Sequence, residues 1–186
     1  MPDLVADTPS ERGATKVDAA SLSVLAYTPM HLLAPFPGGS EAMAAALTEA
    51  YGVRLPAPGE SLSADGAELR WAGRDQALLL GPDAPAPALH THGAVTDVSD
   101  VYLRLMLTGP SEAADILARL VPIDLRPLRF ASGATAKTLL GHISAQVTAR
   151  ADGVEIMVMR SFWQSAFHEI ETAMTRVAGR AALPPD

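Results

Sequence analysis

Three short apolar runs, residues 134–140, 143–149 and 154–159, follow one another with only Gly141-His142 and Asp152-Gly153 as turn signals between them. Strands joined by connections this short pair antiparallel, because a parallel crossover takes a dozen residues or more. A long amphipathic segment comes next, in which Trp163, Ala166, Phe167, Ile170, Met174 and Val177 recur at helical spacing on one face. Ser161, with Gln164 three residues later, has capping-box spacing and is expected to begin this helix. An apolar stripe of that length has to be buried, and the strands beside it are the available surface.

The segment 101–107 has period-2 character and reads as a further strand. Gly109-Pro110 then opens a helix with proline at its first position, and Ala113, Ile116, Leu117 and Leu120 form its apolar stripe. In the first half, residues 21–27 are expected to form a strand, and the proline-rich stretch 29–37 a connection. Ser40 is the expected N-cap of a helix over 41–51, which Gly52 ends in a left-handed conformation. Residues 55–59 read as a loop, and 68–72 with 76–80 as a hairpin turning at Gly73-Arg74-Asp75. Trp163 and Phe167 fall on the core stripe, whereas Trp71 is expected in an edge-like strand. The resulting class is α+β, with largely antiparallel sheets and helices packed on one face. Residues 1–20 read as a flexible tail, and 21–180 as one domain whose lobes, 21–93 and 94–180, divide at the loop 82–93.

Composition narrows the function classes. The 186 residues include no cysteine, which excludes disulfides and thiolate zinc sites and makes the cytoplasm the expected compartment. No apolar run approaches the ~18 residues of a membrane span, and the first residues lack the basic and apolar regions of a secretory signal. Net charge is −7: residues 1–93 hold 5 Lys/Arg against 11 Asp/Glu, and 94–186 hold 9 against 10. That balance argues against nucleic acid, which demands concentrated phosphate-neutralising cations. Arg119, Arg126 and Arg129 are the one compact basic cluster, either solvated or facing an acidic partner.

Several hints of chemistry fail on inspection. His168-Glu169 begins a zinc-protease motif, but the second histidine position is Thr172, so His168 reads as a helix-surface residue. His90 and His92 offer two imidazoles, with Asp97 or Asp100 as a distant third ligand, short of the three or four a zinc site needs. Ser161 and His168 lie about 10 Å apart along a helix axis, far beyond the ~3 Å reach that activating a nucleophile requires. Pro37-Gly38-Gly39-Ser40 lacks the Gly-Lys-Ser/Thr of a P-loop and reads as a turn before a helix, and no Gly-x-Gly-x-x-Gly occurs. Asp124, beside Arg126 and Arg129, either orders an arginine for recognition or forms a loop salt bridge. No catalytic residue, metal ligand or cofactor-binding residue is expected in this chain.

The residues Pro122-Ile123-Asp124-Leu125-Arg126-Pro127, Phe130, Gly133, Thr138-Leu139-Leu140-Gly141-His142 and Arg160-Ser161-Phe162-Trp163 resemble the gamma subunit of heterotetrameric sarcosine oxidase. Leu55-Pro56-Ala57-Pro58-Gly59, Trp71, Gly73 and Leu78-Leu79-Leu80-Gly81-Pro82 resemble the middle segment of the same family, so the likeness covers residues 20–178. Family members often carry Cys where Val121 stands and His where Arg126 stands, so neither position inherits a role. The resemblance implies a fold similar to the N-terminal, folate-binding part of glycine-cleavage aminomethyltransferases. It also implies membership of a flavoenzyme that oxidatively demethylates sarcosine to glycine, forms hydrogen peroxide and passes the one-carbon unit to tetrahydrofolate. In that assembly FAD, FMN, NAD, tetrahydrofolate and zinc reside in the alpha, beta and delta subunits, which are the expected partners. The candidate partner contacts are Arg119, Arg126, Arg129, Phe130, His142 and Arg160. A different reading is a stand-alone tetrahydrofolate-binding, aminomethyltransferase-like protein, which would need further C-terminal domains to close its pocket.

Overall fold

The computed structural model describes Pro9, residues 12–109 and residues 112–181. Among the described residues, eleven strands and four α-helices follow in the order β1 (Thr15–Val17), β2 (Ala20–Val24), β3 (Met30–Pro35), α1 (Ser40–Tyr51), β4 (Ser61–Ala64), β5 (Ala67–Gly73) and β6 (Gln76–Leu80). Then come α2 (Leu89–His92), β7 (Gly93–Asp97), β8 (Tyr102–Thr108), α3 (Glu112–Leu117), β9 (Thr135–Leu140), β10 (Ile143–Arg150), β11 (Gly153–Met159) and α4 (Trp163–Ala181). The fold is α+β with two antiparallel sheets.

The larger sheet has the order β1-β2-β8-β11-β10-β9 and the smaller β4-β5-β6-β3-β7. Period-2 alternation assigns each strand two faces. In β11, Val154, Ile156 and Val158 join Ile116, Leu117, Phe167 and Ile170 of α3 and α4 in the main core. In the smaller sheet Leu33, Leu69 and Leu79 pack with Met43 and Leu47 of α1. The opposite faces meet each other: Met30, Ala72, Leu78 and Leu80 of the smaller sheet cluster with Met157 of the larger. Helices therefore cover the outer face of each sheet, and the two inner faces close on one another.

The hairpin β5–β6, the helix α1 with its left-handed Gly52 cap, the three C-terminal strands and the stripe of α4 lie where the sequence places them. Other expectations need correction. β1 occupies part of the supposed tail, because three residues pair with β2 and Thr15 donates to Glu171 of α4 at 2.9 Å. β3 runs through the proline-rich connection between β6 and β7, with Pro35 at its last position, where a missing N–H costs least. Ser40 is the first residue of α1 rather than its cap, which is Gly39. Ser161 lies inside a 3-10 turn, Arg160–Phe162, ahead of α4. Trp71 sits in β5 between two neighbours rather than at an edge. Sheet membership does not follow the expected lobes, since β2 pairs with β8 and brings the start of the chain into the larger sheet. Pro110, expected to open α3, lies outside the described residues.

Candidate functional site

Charged residues recur inside otherwise apolar strands at the spacing that points them away from the helices. Glu68 and Arg70 on β5, Arg104 on β8, Arg150 on β10 and Glu155 on β11 all turn into the space between the sheets. Arg70 is fully buried, with its Nε and Nη2 donating to Glu68 at 2.7 and 3.0 Å and its Nη1 and Nη2 donating to Glu155 at 2.7 and 3.0 Å. Arg150 Nη2 donates to Glu68 at 2.9 Å and to Glu155 at 2.6 Å. Ser61 adds a bond to Glu68 at 2.5 Å. Two carboxylates from different sheets are thus bridged by two guanidiniums, and Arg70 holds each of them with a bidentate fork, the strongest arrangement for such pairs.

Burial alone would push the Glu68 carboxyl up, but the hydrogen bonds and charge of Arg70, with Ser61 and Arg150, hold it down at about 2. Glu155 is likewise held below its ordinary value against the opposing effect of burial, by Arg70, Arg150 and Arg104. Arg70 is raised, because its two carboxylates outweigh its desolvation. At neutral pH these groups stay charged, so none is poised for proton transfer, which needs a group titrating near the operating pH. The cluster is a clamp between sheets.

Openings flank the clamp. One cavity of 300 Å³ has an apolar floor of Leu32, Leu78 and Met157 and a polar rim that includes Gln146 and Lys137. Gln146 is already engaged, donating to Trp71 O at 2.9 Å and Thr135 Oγ1 at 3.0 Å. A second cavity of 160 Å³ lies between Tyr27, Met30, Tyr102, Arg104 and Arg160. Arg104 spans toward it, hydrogen-bonded to Thr28 Oγ1 and, at 3.2 Å, to Ala26 O.

The six candidate contacts do not form one patch. Arg119 and His142 are neighbours, both exposed, because Gly141 N donates to Leu120 O at 2.8 Å. Arg126 is exposed and paired with Asp124, its Nη2 at 2.6 Å, and this holds Asp124 at about 2. Arg129 is exposed in the same loop, and Phe130 is half-buried against the helix-side core. Arg160 opens instead on the cavity between the sheets. His168 lies exposed on α4, and among the described residues no three His, Asp or Glu side chains are grouped to hold a metal ion. No helix of the described residues is long and apolar enough to cross a membrane.

Sequence reasoning missed the clamp. Its local signal is a charge flanked by apolar residues in a strand, as in Leu69-Arg70-Trp71 and Val154-Glu155-Ile156, but the partners lie 85 residues apart.

A chain of the heterotetrameric sarcosine oxidase from Corynebacterium sp. U-96, solved in complex with pyrrole 2-carboxylate, is similar to this one. It superposes with a TM-score of 0.74 at 30% identity, over 90% of this chain and 88% of that one. The regulatory subunit of aspartate kinase from Thermus thermophilus aligns at a TM-score of 0.44 and 11% identity over 87% of this chain and 99% of that one, too loosely to carry an argument. No family model matches the sequence. No curated protein matches it either.

Proposed function

The chain belongs to the heterotetrameric sarcosine oxidase family, of which it is a subunit, and from that premise we propose that it is the non-catalytic gamma subunit. In this reading it supplies shape and adhesion to an enzyme that oxidatively demethylates sarcosine to glycine, with hydrogen peroxide formed and the one-carbon unit passed to tetrahydrofolate. The alpha, beta and delta subunits are its partners and hold FAD, FMN, NAD, tetrahydrofolate and zinc. The observation that carries the reading is the likeness over nearly the full length of both chains. It agrees with the interior, where Arg70, Arg150, Glu68 and Glu155 are committed to one another and serve the junction between sheets.

The test is co-expression with the other three subunits. Recovery of this chain in fixed ratio with flavin-bearing partners supports the reading; a chain that always purifies alone defeats it. The 300 Å³ cavity favours one competing reading, a stand-alone binder of tetrahydrofolate. Saturable micromolar binding of tetrahydrofolate by the isolated chain would support that second reading, and flat titration curves would remove it.

A further inference from the structure

We propose that the face around the 160 Å³ cavity, with Tyr27, Tyr102 and Arg160 at its rim and Arg104 at its base, receives an acidic side chain from a larger subunit of the oxidase. The inference rests on the subunit reading and adds the place and the chemistry of contact.

Three guanidiniums, those of Arg70, Arg104 and Arg150, share two carboxylates, Glu68 and Glu155, between the sheets. Arg70 and Arg150 take both carboxylates at 2.6–3.0 Å. Arg104 reaches Glu155 only at 3.6 Å, and its remaining polar contacts among the described residues are the neutral oxygens of Ala26 and Thr28. Its side chain is only 13% exposed, and burial pushes it below the ordinary arginine range, the mark of a cation short of counter-charge.

Among the described residues the cavity is walled by two arginines and by apolar or neutral groups, with no carboxylate among them. Arg160 is loosely held: its Nε donates to Asp100 O at 3.1 Å, and its Nη2 lies 3.4 Å from an Asp100 carboxylate whose side chain is 93% exposed. An incoming carboxylate between Arg104 and Arg160 would complete a charge-assisted pair away from water, where such bonds are strong.

At the rim Tyr27, 64% exposed, lines the cavity together with Tyr102 and Arg160. Aromatic residues and arginine around a small pocket are the composition of interface centres, where a few residues carry most of the binding energy. The occupant that fits is an aspartate or glutamate flanked by apolar residues.

The experiment titrates labelled chain into the subcomplex of the other three subunits. Arg160→Glu and Tyr27→Asp are each expected to weaken binding about tenfold or more, with thermal melts confirming that both variants fold. Arg74→Glu, in the exposed turn between β5 and β6, is expected to bind like the unaltered chain. Failure of the unaltered chain to bind defeats the subunit reading itself. Binding by the unaltered chain together with equal binding by Arg160→Glu and Tyr27→Asp overturns only this inference. Pro9 lines the cavity and the preceding residues include Asp3 and Asp7, so a chain lacking residues 1–8 is the remaining arm. Unchanged binding supports the proposal; tighter binding would make the chain's own acidic start the occupant and overturn it.

Discussion

Replacing Arg70 with methionine keeps an unbranched side chain and removes the charge at the centre of the clamp. Arg70 makes four hydrogen bonds to carboxylates on two sheets and is itself fully buried. The variant leaves Glu68 and Glu155, whose side chains are 16% and 3% exposed, facing each other with Arg150 as their close partner. Breaking a buried ion pair from one side costs ~3–5 kcal/mol. An independent figure comes from Glu68, whose carboxyl falls from 4.5 to about 2. That is roughly 2.5 pKa steps, or about 3 kcal/mol, most of which depends on Arg70. In a chain of this length each kcal/mol moves the melting temperature by about 2–4 °C, so a fall of about 10 °C is expected.

The pH dependence carries the sign. A carboxylate whose folded value is depressed stabilises the fold above its unfolded value near 4.5, and that stability is lost as pH falls toward about 2. The unaltered protein therefore weakens across this window, while the variant, already without most of that contribution, weakens less. Urea unfolding followed by the fluorescence of Trp71 and Trp163, at pH 7 and in the window below pH 4.5, measures the gap between them. A loss under about 1 kcal/mol at pH 7, with the same gap at low pH, would refute the assignment of the clamp as the junction between sheets.

Phe167 is fully buried and meets Trp163 edge-on at 6.4 Å between ring centres; Phe167→Ala is expected to cost ~3–5 kcal/mol by calorimetry. Gly93→Ala would set a β-carbon 2.4 Å from Met43 Cε and 2.5 Å from Ala34 O. The methionine can turn away but the β3 backbone cannot, so faster hydrogen exchange is expected across β3 and β7. Asp124→Asn removes a short but exposed ion pair, and surface pairs of this kind contribute little; its melting temperature at pH 7 is expected to match that of the unaltered chain within error.

The parts of the fold legible in the sequence are those whose signal is local. The α4 stripe repeats over fifteen positions, Gly52 sits where a left-handed residue is required, and Gly73-Arg74-Asp75 turns a hairpin between two apolar runs. β3 was hidden because Pro29, Pro35 and Pro37 flank its short apolar run and mimic a loop. β1 was hidden because three half-polar residues have no periodicity of their own and are strands only through β2. The pairing of β2 with β8 joins residues more than eighty positions apart, which no local pattern encodes. The clamp was missed for the same reason, since an arginine in a strand looks like a solvated face until its carboxylates arrive from the other sheet. Among the expected contacts, Arg160 stands out in the sequence only through a family resemblance, whereas the cavity it shares with Arg104 emerges only when the sheets close.

The central claim, that this chain contributes structure to a sarcosine oxidase whose reactive groups sit elsewhere, is tested most directly by purifying it with and without the other three subunits and assaying sarcosine-dependent peroxide formation. The account predicts a stoichiometric flavin-containing complex that turns over sarcosine, and an isolated chain that is folded and inactive. Turnover by the isolated chain, or an active complex from which it is consistently absent, would contradict it.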